Sequence, residues 1–289
     1  MTTLLKQTSL SDNLKSSCVG AYALKLVNDD YTGSILTIQR HTDEVLINFK
    51  ANINGNLFTY DNGDIYMDNI SIEVVLSSTG DSGYIYKLWD QSNNNNHLIQ
   101  ENINNQPLID LTTKNIIFNG NSYLYRIPGL LSDGIPRYCY AVNFLSFTNS
   151  ASTICEHNSN TFMAYQRGAL CVDNTICFKG GLDDGITSYS IVPYNNYSAI
   201  MCIDNLSPFE GNHNLKIRIN GTDILTNTGD GPGYQYLYLN NYGFSVGINL
   251  STLSTEYFNG IINSIYIFNN TISDEDMIIF NDYQMNNLT

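Results

Sequence analysis

Apolar and polar positions alternate most clearly in Tyr84 to Leu98, Y-I-Y-K-L-W-D-Q-S-N-N-N-N-H-L. Tyr84, Tyr86 and Leu88 alternate with Ile85, Lys87 and Trp89, a period of two rich in residues that suit a pleated surface. Asp90 and Gln91 end this strand. Asn93 to Asn96 then turn the chain, because asparagine side chains bond nearby backbone and tolerate left-handed conformations. Similar short runs recur downstream with Asn, Asp and Gly between them. They predict strands at Leu108–Asp110, Ile116–Asn119, Tyr123–Tyr125, Tyr138–Phe147, Thr153–Glu156, Thr161–Tyr165, Ala169–Val172, Thr175–Lys179 and Ser188–Val192. Tyr197–Asp204 and Asn214–Asn220 follow, and Asn220-Gly221 is a strong hairpin turn into Thr222–Leu225. This cadence predicts an all-β sandwich.

Two stretches read as helix. Ser11 to Val27 places Leu14, Cys18, Ala21 and Leu24 on one face behind a Ser11 or Asp12 cap. Near the end, Ser273 caps a second helix in which Asp276 completes a capping box and Asp274 and Glu275 meet the positive end of the dipole. Those acids are structural. Between the helices, Ile35–Arg40 and Val45–Phe49 form a hairpin around His41 to Glu44. Ile70–Leu76 fits either a short helix or a strand, and Gly229 to Gly233 is a flexible loop of the kind that shapes ligand clefts.

The 43% hydrophobic fraction suffices for a core, and the 21 tyrosines and 12 phenylalanines suit half-buried sheet faces and sugar-stacking surfaces. A formal net charge of −14 excludes nucleic acid or anionic membrane as partners of a general electrostatic field and leaves neutral ligands. No apolar run reaches the length of a membrane helix, and Met1 to Leu10 lacks the pattern of a secretory signal. The six cysteines show no zinc spacing, so reduced, mostly buried thiols are expected. His41, His97, His157 and His213 are scattered, and Asp61 to Asp64 and Leu182 to Gly185 read as turns, so no metal or other cofactor is expected. His97 is expected to bond backbone.

The segment W-D-Q-S-N-N-N-N-H-L-I-Q resembles Y-D-Q-S-G-x-G-N-H-L-T-Q of the fungal α-L-arabinofuranosidase B catalytic domain. It is also similar to W-Y-D-Q-S-G-N-G-x-x-A of related modules in phage and large DNA virus proteins. A second block, Cys18-Val19-Gly20-Ala21 with Tyr31-Thr32-Gly33 to Asp43, is similar to that family's C-V-A-A, F-S-G-x-L-Y-Q-L-Q-R-x-S-D opening. Ile265 to Asn269 followed by Ser273-Asp274-Glu275 resembles the terminal signature of laminin G and concanavalin A-like domains. The resemblance implies a two-sheet antiparallel jelly roll. Residues 1–30 are then an N-terminal segment and helix packed on the sandwich, and 31–289 a single jelly-roll domain.

The same resemblance locates a site to inspect. The family nucleophile strand, V-D-M-E-N-N-L-F, corresponds to Val172 to Phe178, which sets Thr175 where the family has glutamate. The family acid/base loop, G-G-D-N-S, corresponds to Val246 to Asn249, with Ile248 or Asn249 in place of aspartate. The family's adjacent-cysteine disulfide corresponds to Thr153 to Asn158, which holds one cysteine, Cys155. A retaining glycosidase needs two carboxyl groups about 5 to 5.5 Å apart. These departures imply a lost hydrolase site, unless Glu156, Asp173 or Asp183-Asp184 has been recruited. Asp173, Asn174, Thr175, Asn249 and Glu156 remain as candidate ligand-binding groups. The expectation is a non-catalytic, lectin-like or surface attachment module, made in the cytoplasm and carried on a virus particle. Its partners would be a glycan or other virion or surface proteins, and an oligomer is compatible with this. The alternatives are a glycoside hydrolase of the arabinofuranosidase type and a purely architectural capsid-associated protein.

Overall fold

A computed structural model of the chain describes residues 10–51, 57–59, 72, 76, 83–110, 113, 115–131, 137–157, 168–180, 183–205, 213–229, 243–249 and 256–286. In chain order it places α1 (Asp12–Ser17), β1 (Cys18–Ala23), β2 (Leu36–Arg40), β3 (Leu46–Ala51), β4 (Leu57–Thr59), β5 (Gly83–Leu88), β6 (Leu98–Ile99), β7 (Leu108–Asp110), β8 (Asn115–Asn119) and β9 (Leu124–Arg126). There follow β10 (Arg137–Ser146), β11 (Ser152–His157), β12 (Gly168–Asp173), β13 (Thr175–Gly180), β14 (Asp183–Ser190), β15 (Asn196–Asn205), β16 (His213–Ile219), β17 (Thr222–Gly229), β18 (Phe244–Val246), β19 (Asn259–Phe268) and α2 (Asp274–Asn286). Thr161–Tyr165, Asp61–Asp64 and the loop from Asp230 to Gly233 lie outside the described residues. Of Ile70–Leu76, only Ile72 and Leu76 are described, both helical and buried.

The strands form an antiparallel, two-layer jelly roll. One layer runs β17-β16-β15-β10-β19, and the far edge of β19 is shared by β1 and β8. The other runs β14-β13-β12-β11-β18-β9-β6-β5-β2-β3-β4, and β7 joins β5 to β8. Period-two alternation decides what each face buries. In β10, Tyr140, Val142 and Phe144 enter the core between the layers, whereas Cys139 and Ala141 join a second cluster under α1 and α2 with Leu14, Phe268, Met277 and Phe280. That central strand is therefore apolar on both faces.

Two expectations need correction. The helix read over Ser11 to Val27 stops at Ser17, and Cys18–Ala23 is strand β1, paired to β19. Both faces of β1 are buried: Tyr22 enters the main core, and Cys18, Ala21 and Ala23 pack beneath the helices. Small apolar residues without a polar face fit a helical spacing as well as an alternating one. The thiols also differ from the expectation, since Cys139 is bridged to Cys202 and Cys171 to Cys177. Each pair is directly opposed across antiparallel neighbours, with Cα atoms 4.2 and 5.0 Å apart, which puts the sulfurs within bonding reach. Cys18 and Cys155 remain free and buried.

Candidate functional site

The motifs that carry the family resemblance meet in one corner. Asp90, 1% exposed, accepts hydrogen bonds from the Ala21 N–H (3.0 Å), the Ser92 N–H and hydroxyl (both 2.8 Å) and the Asn96 N–H (3.0 Å). Gln91 donates to the Ala23 and Lys25 carbonyls and accepts from the Val27 N–H, each at 3.0 Å. The Asn28 amide donates back to the Gln91 carbonyl at 2.9 Å. The D-Q-S corner thus fastens the C-V-G-A block and the segment after it to the second layer. His97 accepts from the Asp90 N–H through Nδ1 at 3.1 Å, as expected.

Trp89 is held nearby. Its indole N–H donates to Thr37 Oγ1 at 2.8 Å, Lys87 Nζ lies 3.6 Å from the ring centroid, and the His97 ring lies 4.6 Å away. The indole is half-buried and its face is occupied by a cation, an arrangement that fixes structure and leaves little ring for a sugar. Burial pushes His97 down to about 4 and lowers Lys87, so this corner disfavours added positive charge.

Four adjacent strands, β9-β18-β11-β12, carry the candidate residues, and their register assigns faces. Directly opposed residues share a face. Phe244, Val246, Leu170, Val172, Ile154 and Leu124 point into the core. The row Tyr125–Ser245–Glu156–Ala169 therefore points away from that core, as does Thr153 opposite Cys171, and within it Ser245, Glu156, Ala169 and Thr153 are buried while Tyr125 is half-buried. A bulge between Thr153 and Cys155 breaks the alternation and brings Thr153 and Glu156 to the same side. Cys155 and His157 turn inward, where the His157 ring packs 4.7 Å from Phe244 and Nδ1 shares a hydrogen bond with the Tyr140 hydroxyl. Complete burial lowers His157 to about 3.

Asn249 and Thr153 meet at a carboxylate that sequence reasoning missed. Glu256 Oε2 accepts from Asn249 Nδ2 at 3.3 Å and from Thr153 Oγ1 at 3.4 Å, and the Thr153 N–H donates to the Glu256 carbonyl at 3.3 Å. The next residue, Tyr257, lies 6.3 Å from Tyr123, which in turn lies 6.1 Å from Tyr125. These three rings are half-buried and form an aromatic surface at the edge of the polar group. Glu256 and Tyr257 sit in irregular chain before β19, so no periodic signal marked them. An E-Y pair leading into an apolar strand was the only cue.

The remaining candidates form the β12–β13 turn. Asp173 and Asn174 are exposed and Thr175 half-buried, with Asn174 in the left-handed region at φ 56°. The Asn174 N–H donates to the Asn149 carbonyl at 2.7 Å and its own carbonyl accepts from the Ile191 N–H at 2.9 Å. Register sets this turn and Asn249 at the same end of the four strands, and Glu156 toward the other. Thr175 carries no carboxylate, and Ile248 is buried with its carbonyl accepting from the Ser245 hydroxyl at 2.9 Å. The disulfide between Cys171 and Cys177 stands beside Thr153 on the outer-face column, while Cys155 faces the core. The side chains of Asp183 and Asp184 lie outside the described residues. Among those described, no cluster of His, Cys, Asp and Glu has metal-binding geometry, and no helix is long and apolar enough to cross a membrane.

The architecture is an all-β, two-layer jelly-roll sandwich, and solved structures of arabinofuranosidases share its fold. A mutant GH54 α-L-arabinofuranosidase soaked with 4-nitrophenyl α-L-arabinofuranoside superposes with a TM-score of 0.68 at 11% identity, covering 94% of this chain and 63% of that one. A GH54 α-L-arabinofuranosidase soaked with a cyclic sulfate inhibitor gives 0.65 at 12% identity, with the same coverage of 94% and 63%. An arabinofuranosidase complexed with arabinofuranosyl-α-1,2-xylobiose gives 0.63 at 11%, covering 92% and 62%. The chain thus spans less than two thirds of the length of these structures, and at such identity the likeness is one of fold. No family model and no curated protein sequence matches the chain.

Proposed function

We propose that this chain is a non-catalytic, lectin-like module that binds a neutral glycan on the outer face of its second layer. The observation that carries the reading is the Tyr123–Tyr125–Tyr257 surface bordered by Thr153, Asn249 and Glu256. Tyrosine rings offer apolar faces for sugar C–H groups, and the half-buried Glu256 carboxylate, held by the buried Thr153 and Asn249, offers acceptors for sugar hydroxyls. The net charge of −14 favours a neutral ligand over an anionic one. Fold neighbours soaked or complexed with arabinofuranosides support a pentose-containing glycan as the first probe. A printed array including arabinan and xylan fragments tests this. Binding that Tyr125→Ala weakens about tenfold, a loss of about 1.4 kcal/mol, supports the site. An array on which the intact protein binds nothing overturns it.

As part of the same proposal, the module serves attachment on a virus particle. Its support is the likeness of the W-D-Q-S segment to phage and large DNA virus modules, and two disulfides that fit display outside a reducing cytosol. Immunogold labelling of purified particles checks it, and label confined to the producing cell would sink it.

Glu256 favours a second reading, a hydrolase with a relocated carboxylate pair. It bonds the side chain of Asn249 in the segment matched to the family acid/base loop, and it is half-buried, open to solvent on one side. Release of 4-nitrophenol from the aryl arabinofuranoside that vanishes in Glu256→Gln would establish this reading; no release above background leaves the binding module.

A further inference from the structure

A different part of the surface carries the ingredients of a second site. The turn joining β14 to β15 walls an open depression of about 380 Å³, lined by Tyr189, Val192, Asn195, Asn196, Tyr197 and Asn220 among others. Among the described residues, no charged side chain lines it. Tyr194, in the same turn, is 70% exposed and adopts φ 67°, the left-handed region. A bulky residue with positive φ is strained, and such strain collects where a side chain must be presented in a fixed direction. The direction is fixed here: the Tyr194 N–H donates to the Ser146 carbonyl at 2.8 Å, and its ring stacks on Phe147 at 5.5 Å and 29°. Below it, the Tyr197 hydroxyl accepts from the Val192 N–H at 2.7 Å and returns a bond to the Val192 carbonyl, which pins the turn.

The polar groups are arranged differently from a self-satisfied turn. Asn195 and Asn196 are exposed, line the depression and make no side-chain hydrogen bond within the described protein. Each amide offers a carbonyl acceptor and two N–H donors, a set that matches adjacent sugar hydroxyls. The turn is also tied to the Asp173–Thr175 candidates, because Ser190 pairs with Thr175 and Ile191 bonds Asn174.

We propose that Tyr194 and the adjoining depression form a second glycan site, in which an uncharged, hydroxyl-rich sugar ring stacks on Tyr194 and bonds Asn195 and Asn196. This inference rests on the glycan-binding reading and adds a binding surface independent of Tyr125 and Glu256. Two sites of modest affinity on one module raise avidity for a multivalent glycan.

The test is the same neutral oligosaccharide array, probed with the intact chain and with Tyr125→Ala, Tyr194→Asn and Asn196→Ala. Asparagine tolerates the left-handed backbone, so Tyr194→Asn removes the ring without loss of folding, and its melting temperature stays level or rises. Expected is binding that survives Tyr125→Ala and falls at least fivefold in both Tyr194→Asn and Asn196→Ala. Signals unchanged in those two variants but abolished by Tyr125→Ala overturn the second site and leave the first intact. Binding of sialylated or sulfated glycans alone, or of none, overturns both sites. A marked drop in melting temperature for Tyr194→Asn with unchanged Asn196→Ala binding assigns Tyr194 to packing and overturns the proposal.

Discussion

The corner around Asp90 and the end of the sheet around Thr175 and Asn249 differ in what their likeness to arabinofuranosidases means. At the corner the matched residues are buried and bonded to one another: Asp90 and Gln91 satisfy backbone groups of Ala21, Ala23, Lys25 and Val27. At the sheet end, the positions that the resemblance sets against the family's carboxylates hold Thr175 and Ile248 or Asn249, and Glu256 bonds Asn249. The motif that identifies the fold is thus a fastening between layers, and its retention says nothing of hydrolysis.

Breaking the corner or the long-range disulfide should have the largest effects. Asp90→Ala leaves the buried Ala21 N–H and the half-buried Ser92 and Asn96 N–H groups without their acceptor; at about 1 to 3 kcal/mol for a buried group and less for the other two, a loss of about 3 kcal/mol is expected in urea unfolding. A loss below about 1 kcal/mol would show that the corner does not hold the layers. Removing the Cys139–Cys202 bridge, which closes a separation of 63 residues, should cost about 4 kcal/mol by the chain-entropy relation. Alkylation and mass spectrometry check the premise: two reactive cysteines in denaturant confirm the bridges, whereas six would restore the reduced thiols expected from the sequence.

Trp89→Ala comes next. Its half-buried indole and single hydrogen bond lead to about 2 kcal/mol, below the range for fully buried aromatics, read as a fall in melting temperature. Unchanged stability with weakened glycan binding would move Trp89 from the corner to the ligand surface. Tyr125→Ala should do the opposite, with less than about 1 kcal/mol of stability lost and about a tenfold loss of binding.

The regions also separate by pH. His97 and His157 are held at about 4 and about 3, below the unfolded value near 6.5. Between these values the unfolded chain takes up protons that the folded chain refuses. Stability is therefore complete above about pH 6.5 and falls as pH drops toward about 4. His97→Gln should flatten the upper part of that slope. An unchanged slope would place the acid sensitivity elsewhere.

Much of the fold was legible because alternation is local. The expected Tyr138–Phe147 strand is β10 within one residue at each end, and the Asn220-Gly221 hairpin and the C-terminal helix stand where caps and turn residues put them. The Cys18–Ala23 strand was not legible because helices cover its outer face, which removes the polar half of the alternation. The bridges required knowing that Cys139 opposes Cys202 across a sheet. The site was only half legible for a related reason: Thr153, Asn249 and Glu256 come from three segments that register alone unites, and the bulge at Ile154 decides which of their neighbours share the outer face.

Strand β19 has a kinetic consequence. It pairs along one edge with β10 and along the other with both β1 and β8, so residues 18–23, 116–119 and 139–146 find partners in Asn259–Phe268. On a ribosome, which delivers the chain from its N-terminus, those early segments lack this neighbour until the late strand emerges. Closure is then a long-range event, slow for its size and exposed to aggregation or chaperone capture while it waits. Nascent chains stalled before Asn259 should remain sensitive to protease, and those stalled far enough past Phe268 for the strand to clear the exit tunnel should become resistant.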